Sequence, residues 1–371
     1  MTASRIKSFA NSRTGVIAGA SAVAAGTALW VHRKAQAAER ANPPLGTRIL
    51  VDRVGVHYVE RGTGTPVVLI HGSNVSLEDF EASGLLDRLA RNHRVIAFDR
   101  PGFGHSDRPR DRLWTPAAQA RLLQAALEQI QVDRPAIVAH STGTSVALCM
   151  ALNRPEQVRQ LVLLSGYHYP TMRFDALLAA PVAIPVLGDA MRYTVTALAA
   201  RMTMKGVVKG MFAPRDIPPR FFSVVPREMM LRPSQIKANA EDAAFMMPAA
   251  ASLAARYSEL RLPVTIVAGA ADKVVAPEDH SVRLHEDVLN SELIVLPEVG
   301  HMIHYAAADA IAASLAEPAS SEFRATPHTA PIAQVGKAQP TGVSDRDQHV
   351  QAAAEEVGGY SSARNLKNSE E

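Results

Sequence analysis

Six short runs of nearly unbroken apolar residues constrain this chain more than anything else in it: P-V-V-L-I (66–70), R-V-I-A-F (94–98), A-I-V-A (136–139), L-V-L-L (161–164), V-T-I-V-A (264–268) and L-I-V-L (293–296). A strand with one face in water alternates apolar and polar residues. Runs that scarcely alternate are buried on both faces, which is the setting of parallel strands covered by helices. Amphipathic stretches lie between them, such as Pro116–Ile130, where Leu122, Leu123, Ala126, Leu127 and Ile130 share a face. This alternation predicts an α/β sheet, and R-I-L-V-D followed by V-G-V-H-Y-V-E-R predicts an antiparallel pair ahead of it.

The rhythm breaks between about Tyr167 and Tyr257, where there is no buried-strand run. Helix-like pieces there are punctuated by Pro181, Pro185, Pro214, Pro218 and Pro219, and most of the twelve methionines fall among them. The expectation is an inserted helical lid over 167–257 within a domain of 45–317, leaving 45–166 and 258–317 as the core. Methionine adapts to irregular surfaces, so the lid is either a loosely specified helical core or an adaptable apolar pocket wall. Residues 318–371 are poor in large apolar side chains and predict a disordered polar tail.

The first 38 residues form a separate segment. No charge falls between Thr14 and Val31, whereas Arg5, Lys7 and Arg13 precede this run and His32, Arg33 and Lys34 follow it. At about 1.5 Å per residue such a helix just spans a bilayer core of about 30 Å. The leading reading is an uncleaved membrane anchor with Trp30 at the interface. The second is a cleaved export signal, because Ala35-Gln36-Ala37 has the small-x-small form of a cleavage site. The third is a buried helix of a soluble protein. The chain is accordingly expected to be membrane-anchored, or exported if the segment is removed. Cations at both ends leave the orientation open.

The net charge is +3, and no compact Lys/Arg block stands outside the N-terminus, which argues against a nucleic-acid partner. Cys149 is the single cysteine, so neither an intrachain disulfide nor a cysteine-based metal cluster can form.

The chemistry centres on V-A-H-S-T-G, where Ser141 ends one buried strand and begins a helix. Serine is a common helix cap, and that alone would explain it. A nucleophilic serine on so sharp a turn requires small neighbours two residues before and after, and Ala139 and Gly143 supply them. It also requires a base and an orienting acid at other strand ends. Gly269-Ala270-Ala271-Asp272 follows the strand V-T-I-V-A, and Pro297-Glu298-Val299-Gly300-His301 follows L-I-V-L. Ser141, Asp272 and His301 are therefore the candidate catalytic residues. The candidate oxyanion donors are the backbone N–H groups of Ser73, in the turn His71-Gly72-Ser73-Asn74, and of Thr142. For His71 a loop-organising hydrogen bond is favoured over proton transfer.

The stretches H-G-S-N, F-D-R-P-G-F-G-H-S-D-R-P (98–109), A-H-S-T-G, G-A-A-D and E-V-G-H together resemble the α/β-hydrolase superfamily over Thr47–Ala316. The resemblance implies a mostly parallel eight-stranded sheet with a lid after strand six, a triad of Ser141, Asp272 and His301, and no cofactor. It also implies that Asp99, Arg100 and Ser106 tie down a loop beside the site. Relatives that are haloalkane dehalogenases or epoxide hydrolases carry aspartate at the nucleophile position, so Ser141 argues against both. The expected activity is hydrolysis of small apolar carboxylic esters. The same triad also serves C–C bond hydrolases and cofactor-free perhydrolases, and a non-catalytic ligand-binding module would keep the scaffold. His304 has no evident third ligand beside it, so no metal is expected, and G-F-G lacks the rest of a dinucleotide fingerprint.

Overall fold

The computed structural model describes residues 3–316, with side-chain environments from Gly15 onward. The predicted tail, 318–371, lies outside the described residues. Eight strands form one sheet: β1 (Thr47–Val51), β2 (Val54–Arg61), β3 (Thr65–Ile70), β4 (His93–Phe98), β5 (Ala136–His140), β6 (Gln160–Leu164), β7 (Val264–Gly269) and β8 (Ser291–Leu296). Their spatial order is β1-β2-β4-β3-β5-β6-β7-β8. β1 pairs antiparallel with β2 and β2 with β4, and all other pairs are parallel.

β3 lies between β4 and β5, with Leu69 opposite Ala97 on one side and Val138 on the other. The winding direction reverses here, which opens a crevice at the carboxyl ends of the strands. Five of the six apolar runs have their apolar residues buried on both faces, whereas L-I-V-L in β8, expected to be buried, lies at the sheet edge with Leu293 buried and Ile294, Val295 and Leu296 only partly so. Along β3, Val68 and Ile70 enter one core while Val67 and Leu69 enter the other. The first core is closed by α4 (Pro116–Gln129) and α5 (Gly143–Asn153), through Leu123, Leu127, Val146 and Leu148. The second is closed by α2 (Glu78–Ala82), α3 (Leu85–Leu89) and α13 (Ala308–Ser314), through Phe80, Leu86 and Ile311. α12 (Arg283–Asp287) precedes β8. α4 begins where Thr115 Oγ1 accepts the Ala118 N–H and Pro116 occupies the first turn.

Between β6 and β7 the chain forms a helical insertion: α6 (Phe174–Ala183), α7 (Leu187–Tyr193), α8 (Val195–Phe212), α9 (Pro219–Val224), α10 (Arg227–Met230) and α11 (Pro233–Ala254). Its methionines fill gaps, with Met204, Met211 and Met230 packing on Phe212 and Phe221.

α1 (Ala3–Ala41) is one long helix. Gly15–Ala41 is long and apolar enough to cross a membrane and is almost entirely unburied, so the buried-helix reading loses its support, while anchor and export signal both remain compatible. Its carboxyl-terminal part reaches the insertion, where Val31 packs with Val182, Ala197, Ile236 and Ala240.

Candidate active site

Ser141 follows the last residue of β5 with φ = 53°, a left-handed conformation that side chains rarely adopt. The turn is held by Ser141 N–H donating to Leu164 O at 2.9 Å, and by the Thr144 hydroxyl and N–H donating to Ser141 O at 2.6 and 3.0 Å. Thr142, not Ser141, occupies the cap position of α5. Ser141 is therefore free of the capping role that would have explained it. Gly143 has to be glycine, because a Cβ there would lie 2.5 Å from Ile70 O. Ala139 sits inside β5 with its methyl fully buried, so the departure from glycine is absorbed by the sheet.

The Ser141 hydroxyl lies 2.9 Å from His301 Nε2, and His301 Nδ1 lies 2.8 Å from Asp272 Oδ2. The remaining carboxylate oxygen, Oδ1, accepts the N–H groups of Val274 and Val275 at 2.8 and 3.0 Å. Burial alone would raise the Asp272 pKa. The neighbouring His301 and these hydrogen bonds outweigh it and hold the carboxyl below its ordinary value. The loops after β7 and β8 are stitched together by Ala270 N–H to Leu296 O and Ala271 N–H to Val299 O, which fixes the acid relative to the imidazole. The structure thus brings together three residues separated by up to 160 positions, each at a strand end.

Ser73 and Thr142 also meet, their hydroxyls 3.0 Å apart. No carbonyl among the described residues takes the N–H of either. Arg100 organises this corner from beneath. Its guanidinium donates to His71 O, Gly72 O and Thr142 Oγ1 at 2.8, 3.0 and 3.2 Å. His71 Nδ1 donates to Gly72 O at 2.7 Å while Nε2 accepts the Arg100 N–H at 2.9 Å. Burial, reinforced by Arg100, lowers the His71 pKa to about 4, so the ring is neutral and both nitrogens are occupied. Its two ring hydrogen bonds tie the loop after β3 to the start of the loop after β4. Asp99 secures the next turn by accepting from Leu77 N–H and His105 N–H, and Gly104 packs so closely on its carboxylate that no side chain fits there.

Two groups escape a reading of the sequence alone. Asp242, on α11 of the insertion, pairs with Arg100 at 2.5 Å and Arg108 at 3.0 Å and accepts from Gln119 at 3.0 Å, all buried. No strand end or motif marks it. His140 Nε2 donates to His301 O at 3.0 Å, a bond that holds the backbone at His301. Asp79, His140 and His304 have the spacing of metal ligands. The carboxylate is already taken by His304 at 2.9 Å and the Tyr305 hydroxyl at 2.8 Å, so the donors suit a hydrogen-bond cluster better than a cation. Ser141 and His301 open onto a cavity of about 1180 Å³ walled largely by the insertion, including Met191, Met204, Met230 and Met246.

The α/β hydrolase fold family matches residues 65–308, well over half of the chain. The chain belongs to that family. This α/β-hydrolase is 31% identical over 140 residues to the 2-hydroxymuconate semialdehyde hydrolase of Pseudomonas sp. (strain CF600), a match covering 37% of this chain and 50% of that protein. The chain thus spans about half the length of the curated relatives that head the comparison. A longer match, 27% identical over 253 residues and covering 66% of this chain and 85% of the other, is to a 2-hydroxy-6-oxononadienedioate/2-hydroxy-6-oxononatrienedioate hydrolase of Pseudomonas putida. Among solved structures, an alpha/beta hydrolase fold protein from Burkholderia ambifaria superposes with a TM-score of 0.64 at 25% identity, covering 74% of this α/β-hydrolase and 98% of the other chain.

Proposed function

We propose that this protein hydrolyses the bond between an acyl carbon and an enolate-stabilised carbon of a small, largely apolar ketone, in place of the ester first expected. The supporting observation is the Ser141–His301–Asp272 relay in a chain whose relatives are named as hydrolases of 2-hydroxy-6-oxo-dienoates and of the related semialdehyde. His301 takes the Ser141 proton as Oγ attacks the carbonyl, and Asp272 holds His301 with its Nδ1–H toward the carboxylate. The N–H groups of Ser73 and Thr142 receive the oxyanion. Cleavage differs from ester hydrolysis in its leaving group, a carbanion, which departs only if a second carbonyl delocalises it. His301 returns its proton to that carbon, and water then releases the acyl group from Ser141 as a carboxylic acid. Lys273, at the cavity wall, supplies positive charge for an enolate or carboxylate, and the methionine-rich wall receives the apolar acyl end. α1 is read as an uncleaved anchor, because its end is built into the insertion through Val31.

The reading is tested by measuring kcat/KM for a 2-hydroxy-6-oxo-dienoate, followed by loss of its dienolate absorbance, against p-nitrophenyl butyrate. The ketone is expected to be favoured by at least about tenfold, some 1.4 kcal/mol of transition-state stabilisation. A preference of that size for the ester returns the protein to the esterases.

A further inference from the structure

α8 is apolar on two opposite faces. Ala197, Met204, Val208 and Met211 are buried on one, and Val195, Leu198 and Met202, which share the other face by their i, i+3, i+7 spacing, are between 43% and 85% exposed. Leu178, Ile184 and Val186, from α6 and the turn after it, are exposed as well. Leaving such groups in water forgoes about 25 cal/mol for each Å² of apolar surface, and soluble domains seldom keep large contiguous patches of this kind.

The position of α1 identifies what covers the patch. The Arg201 guanidinium, on α8, lies 4.9 Å over the Trp30 ring, and Arg232 pairs with Glu39 at 2.9 Å. Val182, Ile236 and Ala240, which hold Val31, also line the catalytic cavity, so the socket of α1 and the wall of the pocket are one structure. Leu178 and Val195 are at once exposed and part of the cavity lining, which places its mouth among the exposed apolar groups. Arg33 and Lys34 on α1 and Lys205 and Lys209 on α8 are exposed. Cations bordering an apolar surface suit anionic headgroups, at about 1 kcal/mol each near a charged leaflet.

We infer that the outer face of α6–α8 is a bilayer-contacting surface, set at the membrane by α1, and that the cavity takes its apolar carbonyl substrate from the lipid. The choice of substrate rests on the proposed chemistry at Ser141; the surface does not. The full chain is labelled with an environment-sensitive fluorophore at Val186→Cys or Met202→Cys, neither position lining the cavity, and at Asp309→Cys on α13 as a control. The native thiol does not compete, since Cys149 is buried and burial pushes its pKa up to about 11. The protein is reconstituted in phosphatidylcholine–phosphatidylglycerol vesicles carrying bromine near the top of the acyl chain. Labels at 186 and 202 are expected to lose about half of their fluorescence or more, as for side chains lying 5–10 Å into the interface, and the label at 309 very little. The Ser141→Ala protein is expected to behave identically, which separates the surface from the chemistry. Equal quenching of all three labels by aqueous iodide with no effect of bromolipid overturns the inference, as does a full-length protein that stays outside the vesicles.

Discussion

Ser141 carries a left-handed backbone that costs of order 1–3 kcal/mol, and its hydroxyl faces His301 rather than the helix it precedes. That strain marks the residue more sharply than its motif does. In the proposed mechanism Ser141 and His301 share one proton transfer, so Ser141→Ala and His301→Ala are expected to lower kcat to the same floor. Asp272→Asn, which reverses the hydrogen bond to Nδ1 and favours the wrong tautomer, is expected to lower it by about 10⁴ with folding intact. His304→Ala, whose ring is bonded to Asp79 and not to Ser141, is expected to lose far less activity. Steady-state kinetics beside a thermal melt for each variant check the set. Near-normal turnover in Asp272→Asn removes it from the relay. These positions were legible in the sequence because each follows an apolar strand within a short loop. His140 was not, since its bond to the His301 carbonyl depends on a neighbour 161 residues away.

The insertion is joined to the core by an ion-pair cluster rather than by apolar contact alone. Asp242 on α11 meets Arg100, which in turn grips the Gly72 carbonyl and the Thr142 hydroxyl, so the position of the insertion and the shape of the corner at Ser73 and Thr142 share one guanidinium. Asp242→Asn leaves Arg100 buried without its counter-charge, and Arg108 with Glu241 alone. It is expected to cost about 3–5 kcal/mol by urea denaturation and to lower kcat more than it raises KM. An unchanged denaturation midpoint would show the cluster to be dispensable. The lid was visible only as an interval without strand signals. Prolines marked its breaks, but its helices pack through methionines and alanines with weak periodicity, and the partner of Asp242 cannot be read from its own helix.

Across the whole molecule the fold was legible because doubly buried strands leave a pattern that survives without any partner, whereas the pairing order, with β3 between β4 and β5, comes from contacts distant in sequence. Folding also buries several neutral histidines. Burial lowers His71 and His280 to about 4 and His168 to about 3, and it carries His140 well below its ordinary value. In the unfolded chain each takes a proton near pH 6.5. Their contribution is therefore complete above that pH and is lost as pH falls toward about 4, at up to roughly 1.4 kcal/mol per pH unit for each ring. Urea midpoints are expected to hold above about pH 7 and to fall steeply below about pH 6; a midpoint unchanged at pH 5 would contradict the burial of these rings in neutral form. The central claim, a serine nucleophile at the end of β5, is tested most directly by treating the full chain with a fluorophosphonate and mapping the adduct by peptide mass spectrometry. A single adduct on Ser141 that is lost in His301→Ala is expected. A full-length, folded protein that takes up no phosphonate, or takes it up at another residue, would contradict it.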